Sequence, residues 1–302
     1  MENSYTLDSP LGLPFVCFRY SSSSAPFPIT EHQHYYTEFI HVRQGVCKIR
    51  RDDATHTLPA GSAIIILPLM RHTIESEDGN PVVYDTIKID LEQLGEAPSY
   101  IPGFHSIMMD AETQQFPMVI SPEDLQRYHM DFMMEQCVLE FSHRAYGYDL
   151  AIRAMLYLLL NSLLRFWMEQ GFKPRTYATT RDPISRVTSY IVKHINEPLK
   201  VEDLAASCGM SYPWFARKFR QIYGVSCKEY IEQVRIQRVE HYLIYTDCDL
   251  NYISQHTGYA DCSHLVRDFR KLNHTTPGQF RQSHRNLLQA IHRENDSAGE
   301  KQ

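Results

Sequence analysis

The chain has 302 residues, with 30 Lys+Arg, 36 Asp+Glu, 15 His and 7 Cys, and a formal net charge of −6. That length exceeds what one core usually supports and predicts two domains of roughly 100–200 residues each. A content of 43% hydrophobic and 22% charged residues excludes a wholly disordered, collagen-like or low-complexity chain.

A net −6 spread evenly would argue against a nucleic-acid binder, because DNA affinity comes largely from cations set against phosphates. The charge is uneven, however: residues 1–180 carry 13 Lys+Arg against 22 Asp+Glu, or −9, and residues 181–302 carry 17 against 14, or +3. The N-terminus, MENSYTLDSPLG, has no basic stretch followed by an apolar one, which predicts a cytoplasmic protein. The most apolar run, Ala154 to Leu164, is interrupted by Asn161 and Ser162 and flanked by Arg153 and Arg165. It is shorter than the roughly 20 residues of a membrane span, so no membrane partner is expected. Cys17, Cys47, Cys137, Cys208, Cys227, Cys248 and Cys262 are odd in number, scattered and without a CxxC pair, which fits reduced thiols.

In chain order, Phe15 to Tyr20, Glu38 to Val42, Val46 to Arg51, Ala63 to Leu67 and Val82 to Ile89 are β-branched and aromatic runs separated by Gly, Pro or Asp turns. They predict an antiparallel β-barrel of the jelly-roll kind over residues 1–120, with residues 21–28 as an arm or loop. At Ser121 the period changes: a hydroxyl cap, Pro122 and two acids start a helix that runs to about His143. A second helix from Tyr148 to Gln170 completes a hairpin over 121–170. Its apolar residues surround most of its circumference, so it is either a core helix or a dimer contact. Residues 171–183 are the candidate linker, 184–289 read as helices with short turns, and 290–302 as a disordered tail. The fold class is therefore α+β in two domains.

The helical half contains a divergent repeat. LAASCGMSYPWFARKFRQIYGVSCKEY (204–230) aligns with ISQHTGYADCSHLVRDFRKLNHTTPGQF (253–280): Gly209 with Gly258, Phe215 with Leu265, Arg217 with Arg267, Phe219 with Phe269, and Tyr230 with Phe280. Each unit reads as a short helix, a Gly-containing turn and a second helix with apolar anchors alternating with Arg, the pattern of a helix-turn-helix. Ala205, Met210, Phe215 and Phe219 form one inner set, and Ile253, Tyr259, Leu265 and Phe269 the other. Ser211, Tyr212, Pro213, Arg217 and Lys218 are left outside in the first unit; Cys262, Ser263, His264 and Arg267 are left outside in the second. A single helix from Lys228 to Thr246 would hold the two readers apart, so that they could address major grooves one turn, about 34 Å, apart.

These motifs, in order and correctly spaced over residues 184–284, resemble the DNA-binding domain of AraC/XylS-type transcriptional regulators. His274 stands where the family usually has Gly, and Cys227 where a Pro often stands. Pro213 occupies a position that contacts bases in some relatives. The resemblance implies Ser211, Tyr212, Arg217, Lys218, Cys262, Ser263, His264 and Arg267 as DNA contacts, with Arg217 and Arg267 leading. An Arg grips guanine O6 and N7 together, although a phosphate clamp or a surface ion pair is open to each of them.

EHQHYYTEFIHVRQG (31–45) and LPAGSAIIILPLMRH (58–72) resemble the cupin-type sensing domain of many such regulators. His32 and His34, two apart, share a strand face; Glu38 follows four beyond His34, and His72 lies on a later strand. Three His and one Glu converging in a barrel would suit a first-row divalent metal, and the same groups, with Tyr36, could instead line a pocket for a small polar effector such as a sugar. Phe39, Arg43 and Arg50 are candidate neighbours. The function expected is an effector-controlled transcription factor that binds promoter DNA as a homodimer, meets RNA polymerase if it activates, and needs no cofactor. The alternative is a metal-dependent cupin enzyme carrying an accessory DNA-binding module.

Overall fold

The computed structural model describes residues 13–23, 27–34, 36–51, 54–68, 70–77, 79–94, 104–174 and 183–282. These fall into two compact units, one within residues 14–179 and one within 180–286. Most of the candidate linker and the whole candidate tail lie outside the described residues.

The first unit opens with eight strands: β1 (Phe15–Ser21), β2 (Ile29–His32), β3 (Thr37–Gln44), β4 (Val46–Arg51), β5 (Ala54–Pro59), β6 (Ala63–Ile66), β7 (His72–Ser76) and β8 (Val83–Ile89). Helices α1 (Leu91–Leu94) and α2 (Phe104–Thr113) and strand β9 (Val119–Ile120) follow, then α3 (Pro122–Arg127), α4 (Met130–His143) and α5 (Tyr148–Glu169). The strands form two antiparallel sheets, ordered β1-β8-β3-β6-β9 and β2-β7-β4-β5. Alternation puts one side of each strand inside: Tyr20, Ile40, Val42, Ile64, Ile66 and Tyr84 of the first sheet pack with Cys47, Ile49, Leu58 and Ile74 of the second. Each such aliphatic contributes about 1.5–3 kcal/mol by leaving water.

The opposite face of the five-stranded sheet carries the helical hairpin. Phe15 meets Phe141 at 6.5 Å between ring centroids, and Trp167 Nε1 donates to the Pro117 carbonyl at 2.9 Å. The 22-residue α5 buries Ile152, Leu156, Leu159, Leu160, Leu163, Leu164, Phe166 and Trp167. By length and composition it could cross a membrane, a test that the core helix of a folded domain also meets, and 44% of its most apolar window is buried within the protein.

The second unit contains α6 (Pro183–Lys193), α7 (Val201–Ser207), α8 (Tyr212–Tyr223), α9 (Cys227–Tyr245), α10 (Leu250–His256) and α11 (Cys262–Asn273). Helix α9 starts on a capping box between Ser226 and Glu229. Its Ile236, Val239 and Leu243 pack with Ile253 of α10 and Leu265 and Phe269 of α11. Arg235 and Arg238 clamp α9 to the end of α6 through the carbonyls of Glu197 (3.1 Å) and Val192 (2.8 Å).

The structure departs from the sequence reading in three places. The helix expected from Ser121 to about His143 is two helices, separated at His129, which takes φ +56°; no Gly or Pro marks that break. Strands β2 and β5 are edge strands with half-exposed polar sequences, ITEH and ATHTLP, and so lack a clear apolar alternation. Within the segment read as barrel, α1 and α2 are helical.

Candidate functional site

Two constellations carry chemistry. In the first unit His32 ends β2, His34 lies in the connection to β3, Glu38 is on β3 and His72 opens β7, so the cluster joins the two sheets. One ligand atom from each of the four lies within 4.8 Å of the others. His34 Nε2 stands 2.8 Å from Glu38 Oε2, and His72 Nε2 stands 3.2 Å from the same oxygen. Glu38 and His72 are 2% and 1% exposed, so water does not satisfy them. His72 Nε2 lies off the hydrogen-bonding direction and has no hydrogen-bond partner despite that proximity.

The outer nitrogens of the three rings are all held by backbone carbonyls. Nδ1 of His32 lies 3.0 Å from Thr30 O, Nδ1 of His34 3.1 Å from Tyr36 O, and Nδ1 of His72 3.0 Å from Met70 O. A carbonyl only accepts, so each Nδ1 carries a proton, and a ring with no second proton presents its Nε2 lone pair to the cluster. Burial pushes the imidazole of His32 down to about 3 and that of His34 to about 4. Burial raises the Glu38 carboxyl, but neighbouring groups, Lys88 first among them, hold it well below the usual range. An Nε2 lone pair 2.8 Å from a carboxylate oxygen is repulsive unless positive charge lies between them. Histidines whose second nitrogen is fixed by a carbonyl, converging with a carboxylate, have the donor set and outer support of a first-row divalent site. The residues therefore fit such an ion.

The other expected neighbours divide. Tyr36 is half-buried and contributes its backbone carbonyl, with its ring 6.1 Å from that of His34. Lys88, which the sequence reading did not single out, has Nζ 3.7 Å from Glu38 Oε1. Its signal was positional: Glu38 and Lys88 are register partners across β3 and β8. Arg43 does not join the cluster; it pairs with Glu135 of α4 at 2.9 Å and lies 3.7 Å from buried Asp85. Phe39 neighbours Glu38 on the same strand, so its side chain takes the opposite sheet face. Arg50 is exposed beside Glu31 at 3.7 Å.

The second constellation is the outer face of α8 and α11. Phe215 and Phe219, and Leu265 and Phe269, are fully buried. They leave Arg217 and Arg267 on the opposite, exposed faces, with Tyr212 and Ser263 exposed nearer the helix starts. His264 is exposed, and its Nδ1 is 2.8 Å from Asp261, the N-cap of α11. Met210 and Tyr259 of the inner sets are half-buried. Two residues read as outward are also half-buried: Lys218 lies 5.3 Å from the Trp214 ring, and the Cys262 thiol donates back to Asn251 Oδ1 at 2.9 Å. Trp214, 50% exposed, and Arg270, which lines a shallow groove with Cys262, Ser263, Val266 and Arg267, were not singled out. Arg270 follows Arg267 by three, so helical spacing alone places it on that face.

A family described as an AraC-like ligand binding domain matches residues 18–160, and one described as a helix-turn-helix domain matches residues 204–283. The chain is 23% identical to the HTH-type transcriptional activator RhaS of Klebsiella pneumoniae over 285 residues, covering 92% of this chain and 96% of RhaS. It is 35% identical over 99 residues to AdaA of Bacillus subtilis, a bifunctional transcriptional activator and DNA repair enzyme; that match covers 33% of this chain and spans 47% of AdaA. The solved structure of ToxT from Vibrio cholerae O395 superposes with a TM-score of 0.58 at 12% identity, over 89% of this chain and 98% of ToxT, a likeness of fold.

Proposed function

Because this chain belongs to the AraC family of transcriptional regulators, with an N-terminal ligand-binding domain and a C-terminal DNA-binding domain, we propose the following division of labour. Residues 1–120 form the effector barrel, 121–170 a dimerising hairpin, 171–183 the linker and 184–289 the reader. The observation that carries the DNA role is the matched pair of exposed arginines, Arg217 and Arg267, on two helices held by one scaffold helix, α9. Both grip bases or phosphates in successive major grooves; Ser211, Tyr212, Ser263 and His264 flank them, and Lys218 and Cys262 contribute from the helix edges. The chain is a regulator and not an enzyme, since tandem readers serve promoter occupancy and no reaction needs them.

The effector is a small polar molecule, a sugar being one class, bound by His32, His34, Tyr36, Glu38 and His72. A divalent cation held by His32, His34, Glu38 and His72 is favoured by the three carbonyl-fixed tautomers and the short His34–Glu38 distance. Such an ion would supply open coordination positions for effector oxygens. Phe132, Leu150 and Leu158, each more than half exposed on α4 and α5, support homodimerisation through the hairpin. RNA polymerase is a further partner if the protein activates, and the protein acts in the cytoplasm.

The test is titration of the purified chain against a DNA site selected from a random library, at several salt concentrations. Specific binding that weakens with salt and survives competitor DNA is expected; absence of sequence preference at every salt would overturn the proposal.

A further inference from the structure

The charges around the histidine cluster restrict what can bind there. Glu38 and Lys88 face it directly, 3.7 Å apart. Arg51, in register with His72, is already matched by Glu112 at 3.2 Å. Arg50 and Glu31 offset each other at the exposed rim. A histidine that coordinates through its Nε2 lone pair is uncharged, so a divalent cation added to one carboxylate and one ammonium leaves a net charge of two positive units in a largely buried place. Uncompensated buried charge is costly. Four protein donors leave positions open on an ion that prefers six ligands, and oxygen atoms suit them. Deeper in the barrel the space is taken: Tyr20 stacks on Tyr84 at 5.1 Å, packed among Ile40, Ile49 and Ile74.

Resting on the divalent-cation reading above, we infer that the effector is a small hydroxy acid. Its carboxylate and an adjacent oxygen chelate the ion while Lys88 pairs with the carboxylate; that halves the net positive charge, whereas a neutral sugar leaves all of it unmatched. Charge-assisted contact to Lys88 then selects acid over alcohol.

The experiment uses the full, untagged chain, stripped with chelator and reloaded with Co(II). Metal content is measured by mass spectrometry, and D-gluconate, glycolate and D-glucose are titrated by calorimetry and by the visible Co(II) spectrum. The expected result is one cobalt per chain, saturable binding with a spectral change for gluconate and glycolate, and neither for glucose. Lys88→Met, with Lys88→Gln as a second variant, should weaken the acids by about tenfold at unchanged cobalt content. Cobalt bound with no response to the acids, or with an equal response to glucose, overturns the inference alone. Failure to bind cobalt overturns it together with the cation reading. Unchanged acid affinity in both Lys88 variants overturns the part given to Lys88.

Discussion

The two helix-turn-helix units share a plan but are secured by different means. In the first, Gly209 takes φ +67° at the turn and a side chain there would meet nothing within 4 Å. In the second, Gly258 takes φ +77°, and a Cβ would fall 2.3 Å from the Ile195 carbonyl and 2.8 Å from Arg235 Nε. The same residue type answers a backbone need in one unit and, in the other, a backbone need together with close packing on Arg235 of α9 and the segment that follows α6. The ends of the reading helices differ too. Helix α8 has no side-chain bond at its Ser211 cap and stops on Gly224 in the left-handed region. Helix α11 is capped by Asp261 and stops on His274, which takes φ +53° despite its side chain. The second unit is thus fixed by packing and capping and tolerates strain at its exit; the first relies on glycine.

The largest effect expected from this difference is at the turns. Gly258→Ala should destabilise the reading unit by about 3 kcal/mol or more, through overlap and a disfavoured φ, whereas Gly209→Ala should cost about 1 kcal/mol. Denaturant melts of the full chain measure both; equal losses would erase the distinction. Next come the readers. Arg217→Ala and Arg267→Ala should each remove about 1–3 kcal/mol of specific DNA affinity with thermal stability unchanged. If one of them weakens all sequences equally, that unit clamps phosphates and does not read bases. At the helix starts, Asp261→Ala should lower the melting temperature by a few degrees and Ser211→Ala hardly at all, because only Asp261 bonds a helix N–H. The smallest effect has the opposite sign: His274→Gly should stabilise by about 0.5–1 kcal/mol by relieving the left-handed conformation.

Much of this was legible in the sequence because helical periodicity and paired glycines are local signals. Phe215, Phe219, Leu265 and Phe269 identified the buried faces, and the arginines opposite followed by geometry. The departure at His274 was visible as a missing Gly, and the structure gives its physical meaning as a strained C-cap. The barrel was legible only in its apolar strands. Edge strands β2 and β5 carry too little alternation, and the break at His129 has no Gly or Pro to mark it. The histidine cluster could be named from spacing. The carbonyls that fix its tautomers, and Lys88 beside Glu38, depend on pairing between distant strands, which no local pattern encodes. The place of Arg43 was open for the same reason: its partners, Glu135 on α4 and Asp85 on β8, come from distant parts of the chain.

The central claim is that one chain couples ligand occupancy in the barrel to DNA affinity at α8 and α11. A ligand shifts DNA binding only if it prefers one of the states that differ in DNA affinity. The direct measurement is the Kd for a selected DNA site at fixed salt, with and without a saturating effector identified by a thermal-shift screen of sugars, sugar acids and metals. A change of about fivefold or more that disappears in Glu38→Gln is predicted. An identical Kd with and without a ligand shown to saturate the barrel would contradict it.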